Sequence, residues 1–318
     1  MISLFKTQTN FPFIPNRGKA YIFSAAVIAV GLASVLLHGG LKLGVDFTGG
    51  TLLQIHFDQP ISTDQVRKSL ADEGLGGAEI QRVRDTELIK NAFIIRTGLQ
   101  EAEAAAARPD SRATENSIVN RMVEALQRRH PDNKVTVDSD ETVGPKIGKE
   151  LQWKAIWAVL VGCLLILVYV AFRFDFRFGA AAVGALVHDV LCTIGFISIT
   201  GMEFNLQSVA VLLTIIGFSI NDSIVVADRI RENVRKPHKE TFAELVNRSI
   251  NETLSRTVIT VLTVLFVLVC LQIFSGRVLA DFTKPLLFGL VIGTYSSIFI
   301  VASLVVDWEI RSPTKRKK

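Results

Sequence analysis

Six stretches of roughly 18–22 mostly apolar residues, near 20–38, 153–172, 179–200, 206–226, 257–274 and 285–306, leave this 318-residue chain few ways to fold. About 20 residues of α-helix cross the ~30 Å hydrocarbon core of a bilayer. Only helices and closed barrels satisfy their backbone hydrogen bonds in that medium, so six transmembrane helices are predicted. Composition agrees: 49% of the residues are hydrophobic and the mean hydropathy is +0.37, high for a soluble protein. Arg17 and Lys19 precede the first run as they would in a cleaved signal. That run is long for one, and Val35-Leu36-Leu37-His38 offers no small-x-small cleavage site, so it reads as a retained span.

Lys and Arg orient the bundle. The connection at 200–206 carries none, whereas Arg173 and Arg177 lie between the second and third spans and Arg229, Arg231, Arg235, Lys236, Lys239 and Arg248 fill the connection after the fourth. Both tails are basic. The positive-inside rule therefore puts both termini and the 227–255 segment in the cytoplasm, with Arg277 and Lys284 running against it. Residues 41–148 carry a net charge of −3, which leaves +8 for the rest of a chain whose formal total is +5. The pI near 9.1 thus reflects membrane flanks and contact with anionic lipid, not nucleic-acid binding. Cys163, Cys192 and Cys270 all sit inside spans without Cys/His spacing for a metal, and read as small packing residues.

Between the first and second spans lie about a hundred polar residues whose periodicity changes repeatedly. Residues 51–57 read as a strand; Ser62-x-x-Gln65 is a capping box opening a helix with Val66 and Leu70 on one face, ended by Gly74. Strand-like runs follow at 78–84 and 91–97. Ile118, Val119, Met122, Val123 and Leu126 mark a second helix, and 134–137 a last strand. The order β-α-β-β-α-β suits an α+β ferredoxin-like domain. The predicted organisation is a tail at 1–19, a span at 20–38, a periplasmic ferredoxin-like domain at 39–150, a five-helix bundle at 151–306 with a cytoplasmic loop at 227–255, and a basic tail at 307–318. The Ala-rich 101–107 stretch reads as a solvated insertion.

The Gly44–Gly50 run lacks the Lys of a phosphate loop and precedes a strand, so it reads as a turn in which Gly supplies positive φ. Gly217-Phe218-Ser219-Ile220-Asn221 nearly matches a nucleophile elbow, but Asn stands last and the setting is mid-helix; a protease using Ser219 with His188 is the weaker reading. His188-Asp189 falls near the midplane of the third span, as a structural pair or a relay. Asp222, beside Asn221, is the sharper case, because a carboxylate at membrane depth costs ~2.5–3.5 kcal/mol or more. Arg256 reaches a similar depth in the fifth span, and a salt bridge between them is expected. Gln207, Thr214, Asn221 and Asp228 recur every seven residues, a polar stripe expected to face other helices. Gly289, Gly293 and Ser297 form a small-xxx-small ridge for close packing, inside the chain or with a partner.

Together these residues resemble the SecD/SecF family of the bacterial protein-export machinery, within the resistance-nodulation-division superfamily. The resemblance rests on Gly44–Gly50, Val143-Gly144-Pro145-Lys146-Ile147-Gly148, His188-Asp189, the run Ser219 to Ser223, Asp228-Arg229-Ile230-Arg231-Glu232-Asn233, the run Asn251 to Thr257, and Gly293-Thr294-Tyr295-Ser296-Ser297. It implies a multi-pass protein of the bacterial inner membrane that is not an enzyme. It also implies partnership with SecD, the SecYEG channel, YajC and the translocating preprotein, and a drive from the proton gradient without cofactor or metal. Asp222 and Arg256 match the family's proton-pathway positions; His188, Asp189, Asn221 and Ser219 are candidate supporting or relay residues by their own place in the spans. Protonation from outside is expected to weaken an Asp222–Arg256 contact and let the bundle move. The competing class is a scaffold that stabilises SecD and the channel without ion coupling. A small-molecule exporter fits less well, since one domain of this size leaves little room for a substrate chamber.

Overall fold

The computed structural model describes residues 9–83, 90–98, 117–173, 176–237, 239–274 and 277–312. The Ala-rich 101–107 stretch and the outer parts of both tails lie outside the described residues. The chain divides into two compact units, Leu43–Ile156 and the combination of Met1–Lys42 with Trp157–Lys318.

The smaller unit begins with the single turn α1a (Val45–Thr48), whose hydroxyl Thr48 Oγ1 bonds back to Gly44 O at 3.1 Å. Positive φ falls at Gly49 (75°) and Gly50 (128°). A Cβ at Gly50 would lie 2.3 Å from Thr97 O, so glycine is required both by conformation and by space. Four strands follow, β1 (Gly50–Phe57), β2 (Glu79–Arg82), β3 (Ala92–Thr97) and β4 (Val135–Val143), with helices α2 (Thr63–Ala71) and α3 (Ser117–Arg129) between them. The strands form one antiparallel sheet in the order β2-β3-β1-β4. Leu53, Ile55 and Phe57 alternate onto one face of β1, where they meet Val66 and Leu70 of α2, Phe93 and Ile95 of β3, and Met122 and Leu126 of α3. Both bonds of the Ser62–Gln65 capping box are present. β4 runs six residues beyond the predicted strand. A register shift opposite Gln54/Ile55 leaves Asp138 unpaired in the ladder, and the polar continuation to Val143 is mostly exposed, as an edge strand can be.

The larger unit is helical: α1 (Arg17–Leu37), α4 (Pro145–Arg173, which begins in the smaller unit), α5 (Phe176–Ile199), α6 (Leu206–Arg235), α7 (Phe242–Phe274) and α8 (Arg277–Ser296), continued through a π-turn at Ser297–Val301 into α9 (Ala302–Arg311). Among the described residues six helices are long and apolar enough to cross a membrane, the sixth running from Leu279 to Arg311. α5, α6 and the α8–α9 span hold most of the buried side chains, whereas α1, α4 and α7 leave many apolar ones exposed. That distribution suits a bundle whose outer helices face lipid. Most of the predicted 227–255 loop is helix: α6 continues to Arg235 and α7 starts at Phe242, polar turns that hydropathy cannot see.

Two features position the bundle. Gly31 of α1 and Gly195 of α5 cross backbone to backbone, and one turn on Ser34 Oγ meets Ser198 Oγ at 2.9 Å. The segment before α1 is strapped to α7: Asn251 Oδ1 accepts from Phe11 N at 2.8 Å, Asn247 Oδ1 accepts from Ile14 N at 3.1 Å, and the Phe13 ring packs edge-on to Phe299 in the π-turn.

Candidate functional site

The centre of the larger unit is polar. Asp189, on α5, is fully buried, and three helices converge on its carboxyl group. Ser219 Oγ of α6 donates to Asp189 Oδ2 at 2.6 Å, and Ser296 Oγ of α8 donates to the same oxygen at 2.8 Å. His188 Nδ1 lies 2.9 Å from Oδ1, and Cys192 Sγ 3.7 Å from the other ring nitrogen of His188. The His188 ring faces that of Tyr295 at 6.2 Å, and Tyr295 Oη donates to Ala20 O of α1 at 2.8 Å. Glycine permits the convergence. A Cβ at Gly293 would lie 3.3 Å from Ser219 Cβ and 3.7 Å from Asp189 Oδ2, and one at Gly289 would lie 2.0 Å from Ile215 Cδ1. The small-xxx-small ridge is therefore spent inside the chain, where it seats α8 against α6. Ser296 closes the last turn before the π-turn, an irregularity found often at functional sites.

Asp222 lies one turn along α6 from Ser219 and is 2% exposed. Its Oδ2 is buried without a hydrogen-bond partner among the described residues. Arg256 is exposed on α7, near enough to bear on the Asp222 charge, but the expected salt bridge is not formed among the described residues. Asn221 is also exposed, outside the polar centre. The stripe it belongs to was expected to face other helices; here Thr214 and Asn221 point away from the bundle and Asp228 is half exposed against Arg173. Thr214 and Asn221 are thus on the outside, whereas Gln207 is half-buried and Asp228 meets another helix through Arg173 of α4. Cys270 too is exposed, so it is not a packing residue of this chain, whereas Cys192 is buried.

Beyond Asp222, toward the Arg235 end of α6, a second cluster joins α6 to α7. Glu252 accepts from Arg229 Nε at 2.5 Å, Asn233 Nδ2 at 2.8 Å and Arg248 Nη1 at 2.9 Å. Neither Glu252 nor Ser296 stands out as a functional residue from the sequence. The available signals were Glu252 one turn before Arg256 and the hydroxyl pair ending the glycine ridge. Among the described residues no group of three or more His, Cys, Asp and Glu side chains is placed to hold a metal ion.

Residues 122–311 match the family described as protein export membrane protein SecD/SecF, C-terminal, and residues 34–61 match the SecD/SecF GG motif. The chain is 38% identical over 318 residues to protein translocase subunit SecF of Calditerrivibrio nitroreducens, covering 99% of each chain. It is 41% identical over 294 residues to protein translocase subunit SecDF of Thermus thermophilus, covering 92% of this chain and 38% of that protein. The crystal structure of the translocon-associated SecDF from Thermus superposes with a TM-score of 0.80 at 38% identity, over 97% of this chain and 40% of that one. The super-membrane-facing form of SecDF superposes with a TM-score of 0.67.

Proposed function

The chain belongs to the SecD/SecF family of protein-export membrane proteins, and from that premise we propose that it is a SecF subunit which, with SecD, uses the proton gradient to promote late preprotein translocation and release on the periplasmic side. The observation that carries the coupling is Asp222. A buried carboxyl oxygen without a partner costs several kcal/mol when the group is ionised. Loading and unloading a proton there changes what α6 and α7 must provide, and Arg256 is the cation close enough to answer. Protonation from the periplasmic side releases that demand; loss of the proton to the cytoplasm restores it and draws the two helices together.

Partnership with SecD is supported by the outer face of the bundle. Thr214, Gly217 and Asn221 are exposed along one face of α6 at membrane depth, and Arg256 is exposed on α7; polar surface of this kind suits another helix better than lipid. In the Thermus relative the SecF-like part is fused to more than half a chain of other sequence under the name SecDF. The strand order β2-β3-β1-β4 of the Leu43–Ile156 unit supports a ferredoxin-like sandwich, and the Lys and Arg distribution favours a periplasmic place for it, with both termini cytoplasmic in an inner membrane.

The test is preprotein release from vesicles with and without an imposed proton gradient. Asp222→Asn keeps the shape and removes the charge. At equal membrane abundance it should lose the stimulation that the gradient gives; retained stimulation would favour a scaffold that stabilises SecD and the channel without ion coupling.

A further inference from the structure

Just before α1 the chain is tied to two other spans at once. Asn251 of α7 turns both ends of its amide to one residue there, accepting from Phe11 N at 2.8 Å and donating to Phe11 O at 3.0 Å. One turn earlier Asn247 accepts from Ile14 N at 3.1 Å and donates to Phe11 O at 3.0 Å. Pro12 and Pro15 fix φ at two positions of this strap, so less conformational entropy is lost in holding it. The same strap meets the sixth span. The Phe13 ring stands edge-on to Phe299 in the π-turn at 5.3 Å, and Ile14, 2% exposed, shares a core with Ile298 and with Leu245 and Ile250 of α7. α1 then grips the sixth span on both sides of the π-turn. Tyr295 Oη, before it, donates to Ala20 O at 2.8 Å; Asp307, after it, accepts from Arg17 Nε at 2.9 Å and from Tyr21 Oη at 2.8 Å.

Both ends of the strap lead to the candidate site. Arg256 follows Asn251 by five residues on α7, and Ser296, the residue before the π-turn, donates to Asp189 Oδ2 at 2.8 Å in the polar centre. A π-turn carries i→i+5 bonds where the flanking helix carries i→i+4, so a change from one pattern to the other displaces the helix by a residue, roughly 1.5 Å along its axis. A displacement of that size at Phe299 breaks the edge-on contact unless Phe13 follows, and Phe13 stands between the two residues that the α7 amides hold. Space for the movement exists: a cavity of about 600 Å3 is lined jointly by Thr9, Ile14 and Arg17 and by Asn247, Arg248 and Asn251. Resting on the reading of Asp222 and Arg256 as the proton-coupled pair, we propose that the strap at residues 11–14 couples the π-turn to α7, so that a shift of the sixth span beside the polar centre is passed to the helix that carries Arg256. The π-turn is the element with two arrangements that such coupling requires. Asn251 is a positioning residue: the hydrogen bonds of its side chain go to the strap and to Asn247 O, and it acts on Arg256 through α7.

The experiment measures preprotein release from vesicles carrying the full chain with SecD, with and without an imposed proton gradient. Asn251→Ala frees the strap from α7, and Phe13→Ala frees it from the π-turn. At equal membrane abundance each should lower the stimulation by the gradient about fivefold or more while leaving release without the gradient unchanged. The double variant should be no worse than either, because one chain of contacts is cut twice. Phe13→Tyr, which keeps the ring, should restore the stimulation. Asn251→Ala should also speed amide exchange in the π-turn, to which the Asn251 side chain makes no hydrogen bond among the described residues. Asn247→Ala, which removes the neighbouring tie, repeats the test where Asn251→Ala does not accumulate. Stimulation within about twofold of wild type in both single variants, with Asp222→Asn losing it, would overturn the strap's role and leave the reading of Asp222 intact. Equal loss of release with and without the gradient, or losses that add in the double variant, would mean a strap that only holds the fold, and would overturn the coupling. Stimulation retained in Asp222→Asn would overturn the underlying reading, and the strap's role with it.

Discussion

Replacing Gly31 by alanine should separate α1 from α5. The added Cβ would stand 2.8 Å from Gly195 Cα, and the neighbouring backbone atoms at 3.7 and 3.8 Å close off the sides. Carbon atoms in contact sit at about 3.5–4.0 Å, so the helices must part by roughly 0.8 Å. No side chain can yield, because the obstacle is backbone. At Gly289, by contrast, the obstruction is the end of the Ile215 side chain. A separation of that size stretches the 2.9 Å contact between Ser34 and Ser198 beyond hydrogen-bonding distance. Overpacking costs about 1–3 kcal/mol and the lost interhelical bond about 0.6–2 kcal/mol, so ~2–4 kcal/mol is expected. Gly18→Ala, on the same helix with nothing within 4 Å of the added atom, supplies the control and should gain up to about 1 kcal/mol of helix propensity. Reversible unfolding in mixed micelles measures both. If Gly31→Ala is no less stable than Gly18→Ala, the backbone crossing does not hold the first span.

Arg256→Ala and Asp222→Asn should each impair gradient-dependent export, and the double variant should be no worse than either; simple additivity would mean that the two residues do not act as a unit. Glu252→Gln removes the carboxylate that gathers Arg229, Asn233 and Arg248, and should loosen the Arg229–Asn233 turn by about 1–3 kcal/mol, read as faster amide exchange there with the middle of α5 unchanged. Burial, and then the charge of Arg129, hold the His130 imidazole below its usual range. The unfolded chain therefore takes up a proton that the folded unit resists, and the Leu43–Ile156 unit should lose stability as pH falls through about 6.5. Pulse proteolysis across that range should show the slope in wild type and a flatter one in His130→Gln; equal slopes would remove His130 from the account.

Much of this was legible in the sequence because hydrocarbon is a severe solvent. Six apolar runs predicted six long helices, and the alternation of Leu53, Ile55 and Phe57 against the spacing of Met122 and Leu126 predicted the sheet and the helix that share a core. Misjudgements arose where the signal was silent about partners. The seven-residue recurrence puts Thr214 and Asn221 on one face of α6, yet periodicity does not say what a face meets, and among the described residues both are exposed. Asp222 is buried on another face of the same helix. Helix ends rich in charge, from Ala227 to Arg235 and from Phe242 to Ser255, read as loop because hydropathy tests only for lipid contact. The π-turn after Ser296 and the bulge at Asp138 have no residue signature of their own. His188, Asp189 and Ser219 could be singled out as polar residues at depth, but that three helices meet at Asp189 is a fact of packing, set by Gly289 and Gly293.

The most direct measurement of the coupling is proton flux across liposomes containing this chain with SecD, this chain alone, and the Asp222→Asn variant with SecD. Apart from Lys42, Glu203, Asp281 and Lys284 near its rim, the half of the bundle away from Arg235 offers chiefly hydroxyls and amides, so a path across ~30 Å needs groups that a partner supplies. Flux is predicted with SecD present, and its loss is predicted both without SecD and with Asp222→Asn. Equal flux from the variant and the wild type would contradict a proton-coupled role for Asp222, and Asp222-dependent flux from the chain alone would show that the path is complete within one subunit.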